Sequence, residues 1–254
     1  MRPFLIFGFA SVLVVLTACG EPFAAAQKAD TIESYEQYLK ENPEGRFVIE
    51  ASGRLEVLYL ERAKAEETLE AYDAYLERFP EGAMRERALT ERESFLYSWA
   101  KETNTAEGWQ KYLDEYPKGK KKQRQHAKRM LEVHAYLPYL EVSPVRQEQI
   151  NLAEDPEGPL NGWGFEADVT NNGDATITEM RLTIQYLSPE GGVLDEREWP
   201  IVAEYWTVPV EEERKVPMGP GQTRTWEWST GDMPERWDRK VRLFVSRISL
   251  KEDG

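Results

Sequence analysis

Thr68 to Gly82 reads TLEAYDAYLERFPEG, and two further segments align with it without gaps: Thr31 to Gly45, TIESYEQYLKENPEG, and Thr105 to Gly119, TAEGWQKYLDEYPKG. Each begins 37 residues after the one before. A fixed period between about 20 and 50 residues is the mark of stacked supersecondary units. Within each segment two aromatics stand three apart, Tyr35 and Tyr38, Tyr72 and Tyr75, Trp109 and Tyr112, with Leu39, Leu76 or Leu113 next in line. That spacing places them on one helical stripe, where packing between helices is their simplest role. Thr31, Thr68 and Thr105 stand where N-caps belong, and glutamates follow in the first turns. Pro43, Pro80 and Pro117 then stop each helix, while Gly45, Gly82 and Gly119 permit the turn. Longer helices are expected over 46–64, 83–101 and 120–136. The outcome is an α-solenoid of three antiparallel hairpins over 31–137.

The aromatic pair, the leucine and the Pro-x-Gly corner resemble the tetratricopeptide-like repeats of periplasmic and outer-membrane lipoproteins, such as those of the outer-membrane assembly and Tol-Pal coordinator families. The resemblance covers about residues 30–137 and implies a concave face that takes peptides or partner proteins.

After Pro138 alternation replaces helical spacing. Strands are expected at Leu140–Val145, Trp163–Thr170, Thr176–Leu187, Val193–Trp199, Thr223–Ser229 and Val241–Leu250. Turn signals separate them, including a hairpin centred on Asn172-Gly173. The expected fold over 138–254 is an antiparallel β-sandwich. The run through Gly164, Val169, Asn171 and Gly173 to Leu182, Ile184 and Tyr186, then Gly192-Val193-Leu194 and Gly219-Pro220-Gly221, resembles the FxLYD-like immunoglobulin-type domains of bacterial surface proteins. That likeness implies an adhesive or accessory module.

At the start of the chain, Arg2 precedes an apolar run from Phe4 to Leu16. At about 13 residues it is shorter than the roughly 20 a spanning helix needs, and it suits a signal peptide over 1–18. Leu16, Thr17, Ala18 and Cys19 resemble the lipobox of bacterial lipoproteins. The resemblance implies cleavage before Cys19, acylation of its thiol, and, with Gly20 following, the periplasmic face of the outer membrane. Two or more acyl chains give stable anchoring where one is marginal. Residues 19–30 are then a short lipidated tether. Cys19 is the one cysteine, so no intramolecular disulfide can form.

A formal charge of −14 disfavours nucleic acid, whose phosphates demand Lys and Arg. Lys120, Lys121, Lys122, Arg124, Lys128 and Arg129 form a local basic exception, read as a solvated helix face or else as a docking patch for anionic lipid headgroups, cell-wall polymer or an acidic protein surface. Asp168, Thr170, Asn172, Gly173 and Glu179 match positions of a calcium loop, but flanking strands replace the helices that such a loop needs, so no metal and no cofactor are expected. His126 and His134, the two histidines, lie on an expected helix with no serine motif beside them and read as structural. Aromatic content is 11%, with eight tryptophans. Trp226 and Trp228 share one face of a strand, and with Trp199 and Trp206 they are either sandwich core or an exposed stacking platform. The expected function is a non-enzymatic, membrane-anchored module for an envelope protein partner. The alternatives are a module binding cell-wall glycan through those tryptophans, and an envelope hydrolase.

Overall fold

The computed structural model describes residues 21–153 and 157–251, so the expected signal peptide and Cys19 lie outside the described residues. The fold is mixed α plus β. In chain order come α1 (Glu21–Ala29), α2 (Ile32–Glu41), α3 (Val48–Glu66), α4 (Leu69–Arg78), α5 (Arg85–Thr103), α6 (Ala106–Glu115) and α7 (Lys121–Tyr136). There follow β1 (Leu140–Val142), β2 (Arg146–Ile150), β3 (Gly162–Asn171), β4 (Ile177–Leu187), β5 (Val193–Val202), the single-turn α8 (Glu212–Lys215), β6 (Thr223–Thr230) and β7 (Lys240–Leu250). The chain divides into two compact units, the first ending at Leu96 and the second running from Tyr97. Helix gives way to strand at Leu140, after α7 and a short 3-10 turn over Leu137–Tyr139, whereas packing divides the chain earlier.

In the first unit the threonine caps act as the repeat implies. Thr31 and Thr68 each accept from the backbone N–H three residues on, both at 3.2 Å, and Thr105 repeats this in the second unit at 3.1 Å. Immediately before each cap stands a residue with left-handed backbone: Asp30 (φ 49°), Glu67 (φ 48°) and Asn104 (φ 45°). A non-glycine residue there costs about 1–2 kcal/mol, so the sharp entry into each short helix is held by the surrounding packing. Tyr35, Tyr38, Tyr72 and Tyr75 are buried, as the stripe requires.

One carboxylate locks a repeat corner. Glu56 of α3 is 8% exposed and accepts from the Tyr75 hydroxyl and from the Met84 N–H, each at 2.7 Å. A Cβ at Gly82 would collide with that carboxylate, so glycine is required by close approach here.

Within the span expected as a tether lies a helix. Residues 21–29 are helix α1, in which Ala24, Ala25 and Ala26 carry the highest helix propensity. Phe23 stacks on Phe47 at 4.6 Å and meets Tyr38 at 5.3 Å, and Ala26 is buried beside them. Burying Phe23 outweighs the entropy of a free linker.

In the second unit β3 pairs with β1, β2 and β6 in one antiparallel sheet, and β4 lies between β5 and β7 in the other. The expected hairpin at Asn172-Gly173 is therefore a crossing between sheets. Its cause is Asn171, fully buried, whose Oδ1 accepts from the Tyr136 hydroxyl (2.9 Å) and the Gly173 N–H (3.1 Å) while its Nδ2 donates to the Ala175 carbonyl (2.9 Å). These bonds turn the chain away before the two strands can pair. Strand β2, RQEQI, has no alternation and lies exposed at an edge, which hides it from a reading of hydrophobic period.

Glu56→Ala leaves the Tyr75 hydroxyl and the Met84 N–H buried without an acceptor, a loss of about 1–3 kcal/mol. The expected result is a lower urea midpoint at unchanged slope. In the background of Tyr75→Phe, the same substitution costs less.

Candidate functional site

The four tryptophans named from the sequence fall in and around the space between the sheets. Trp226 is 0% exposed and its indole N–H reaches the Trp199 carbonyl at 3.3 Å. Trp228 donates to the Tyr186 hydroxyl at 2.9 Å, joining the two sheets. Trp199 is half-buried against Trp228 (5.4 Å) and Trp206 (6.2 Å), and the Arg181 guanidinium lies 4.7 Å over the Trp206 ring. Burial makes Trp226 core, and even register with β3 turns Trp226 and the part-buried Trp228 to the same side as Ala167 and Phe165. The calcium-loop residues do not converge either. Asp168 is held by Arg146 (2.7 Å) and Thr225 (2.8 Å), while Glu179 is held by Arg181 and Arg247.

A well-formed concavity lies elsewhere in the second unit. Strand β4 alternates Met180, Leu182, Ile184 and Tyr186 on its inner face with Glu179, Arg181, Thr183 and Gln185 on the other. Thr183 and Gln185 are buried too, because α7 packs over β7 on that side. A covered polar face must find partners. Glu198 accepts from Arg181 Nη1 (3.2 Å) and Ser246 Oγ (2.8 Å); Glu196 accepts from Lys101 Nζ (2.7 Å) and Gln185 Nε2 (3.2 Å); Glu179 accepts from Arg247 Nε (2.7 Å).

The helical wall is aromatic. The Tyr97 hydroxyl meets His126 Nδ1 at 2.6 Å, and both rings stand edge-on to Trp109, at 5.9 Å and 5.0 Å. Asn104 Oδ1 accepts from Trp109 Nε1 (3.1 Å) and bonds His134 Nε2 (3.3 Å). Between wall and sheet remains a cavity of about 380 Å³, lined also by Arg129, Met130 and Phe244. Both histidines, read from sequence as structural, hold packing hydrogen bonds, and His126 also lines the cavity. Burial holds the His126 imidazole below its ordinary 6.5, with the positive charges of Arg129 and Lys101 adding to the effect. His134 is lowered by burial as well. Burial alone would raise the Glu196 carboxyl, but hydrogen bonds from Lys101 and Gln185 leave it below its usual value.

Lys101, Arg129, Arg181, Glu196, Glu198 and Arg247 were not singled out together from sequence. The one available signal was the run Glu179, Arg181, Thr183, Gln185, an alternation that reads as a solvated face. Chemically the cavity offers fixed charges, hydroxyls and an aromatic wall, a set suited to holding a polar ligand.

No family model matches this chain, and no curated protein matches it. Among solved structures it is similar to Pseudomonas fluorescens alkylpurine DNA glycosylase AlkC bound to DNA containing an abasic site analog, at 11% identity and a TM-score of 0.32, over 74% of this chain and 52% of that one. The chain thus spans about half the length of that protein, and a likeness of this degree carries no argument.

Because both imidazoles are depressed, their contribution to stability is fully present above the ordinary value of 6.5 and is lost as the pH falls through the folded values. The urea midpoint is expected to drop between about pH 7.5 and about pH 5.5, and His126→Gln to reduce that drop. Trp226→Ala is expected to cost about 3–5 kcal/mol in thermal or urea melts, as for any buried aromatic.

Proposed function

We propose that this chain is an exported lipoprotein, held at a membrane by acyl groups on Cys19, that serves as a non-enzymatic interaction module for an envelope protein. In this reading the helices form a solenoid of three hairpins and the strands an immunoglobulin-like sandwich. The single observation that carries it is that helix α1, which covers Glu21–Ala29 and follows closely on the lipobox-like cysteine in sequence, buries Phe23 against the first repeat. Acyl chains on Cys19 would hold the chain at the lipid surface, and each buried methylene adds about 0.8 kcal/mol to that hold. The 37-residue recurrence of threonine caps and left-handed residues supports the repeat side of the reading.

The test is labelling of cells with an alkyne fatty acid. The wild-type protein is expected to carry the label, lack residues 1–18 and sediment with membranes, whereas Cys19→Ser stays unlabelled and uncleaved. Wild-type protein with its leader intact and its thiol unmodified overturns the anchoring. Crosslinking at the native membrane is expected to join the labelled chain to a second envelope protein.

A further inference from the structure

Of the cations that line the cavity of the second unit, one has no partner among the described residues. Around the cavity stand four cations, Lys101, Arg129, Arg181 and Arg247. Three of them are answered by three carboxylates: Lys101 by Glu196, Arg181 by Glu179 and Glu198, Arg247 by Glu179. Arg129 is half-buried, lines the cavity, and has no hydrogen-bond or ion-pair partner among the described residues. With Lys101 it disfavours protonation of His126. Arg181 adds a second unmet group, an Nε donor that is buried without an acceptor. In a chain of net charge −14, an unmatched guanidinium beside an unmet donor is not explained by the fold, because burying either has a cost and neither is repaid by internal bonds.

We propose that this cavity is a binding site for a small organic carboxylate, whose carboxylate pairs with Arg129 and whose body lies against Trp109, Met130 and Phe244. The volume of about 380 Å³ falls within the range of about 300–1,000 Å³ typical of small-ligand pockets. It is far larger than a lone inorganic ion requires. The sign of the surplus excludes a cationic ligand. Its size of one charge favours a monoanion, since a dianionic phosphate group would call for a second free cation. A planar carboxylate also matches the fork of a guanidinium, which gives the pair direction as well as charge. The proposal does not depend on the acylation of Cys19.

The experiment uses the full chain purified in detergent, with N-acetylglycine and benzoate as carboxylate probes, N-acetylglycinamide and benzamide as their uncharged counterparts, and inorganic phosphate as the competing anion. Calorimetric titration is expected to show saturable binding of at least one carboxylate and of neither amide. Arg129→Gln is expected to weaken binding by about 10- to 100-fold, and Arg129→Lys by less. Because Arg129→Gln removes an unpaired half-buried cation, its melting temperature without ligand is expected to equal or exceed that of the wild type, which separates loss of the site from loss of the fold. Equal binding by Arg129→Gln, equal binding of acids and amides, or saturation by phosphate with both carboxylates inert would overturn the proposal, as would the absence of any binding at millimolar concentration.

Discussion

Strand β4 has cover on both of its faces. Met180, Leu182, Ile184 and Tyr186 are at most 1% exposed on the side turned to the other sheet, while Thr183 and Gln185 on the opposite side are only 7% and 6% exposed. An apolar face solves its burial by interdigitation, but a polar face can do so only through directed bonds. The carboxylates of Glu179, Glu196 and Glu198 are consequently drawn into bonds with Lys101, Arg181, Arg247, Gln185 and Ser246. The cavity of about 380 Å³ lies among these bonded side chains, so its lining on the sheet side is polar apart from Phe244.

The helical repeats meet this constraint at one corner. Asp30, Glu67 and Asn104 occupy equivalent left-handed positions, yet their side chains act differently. Asp30 takes a two-pronged bond from Arg54, at 2.8 Å and 2.7 Å, and one from the Tyr35 hydroxyl at 3.3 Å. Hydrogen bonding and the charge of Arg54 hold its carboxyl below the usual carboxylate range. Asn104 is neutral and instead bonds Trp109 and His134, so the same backbone device fixes the aromatic wall of the cavity. Repetition sets the backbone, and the side chain at the turn is free to specialise.

Much of the helical region was legible because its signals are local. A threonine cap, an aromatic pair three apart and a proline stop each act within a few residues, and the helices expected over 46–64, 83–101 and 120–136 appear as α3, α5 and α7 with small shifts at their ends. Helix α1 was taken for a tether because its short alanine run carries one large apolar residue, Phe23, and only the presence of Phe47 and Tyr38 gives that ring somewhere to go. Strand β2 was missed because an exposed edge strand need not alternate. The turn at Asn172-Gly173 had hairpin letters, but Tyr136, 35 residues upstream of Asn171, overrides them through a buried hydrogen bond.

The amino-acid sequence by itself determined the 37-residue period, the capped helices and the strands after Pro138 other than β2, since all of these depend on neighbours along the chain. Tertiary structure alone decided that Trp226 is core, that β3 and β4 lie in different sheets, and that the polar side of β4 is enclosed. Those outcomes depend on which surfaces meet across long stretches of sequence, and the matching of charges that isolates Arg129 exists only once they have met.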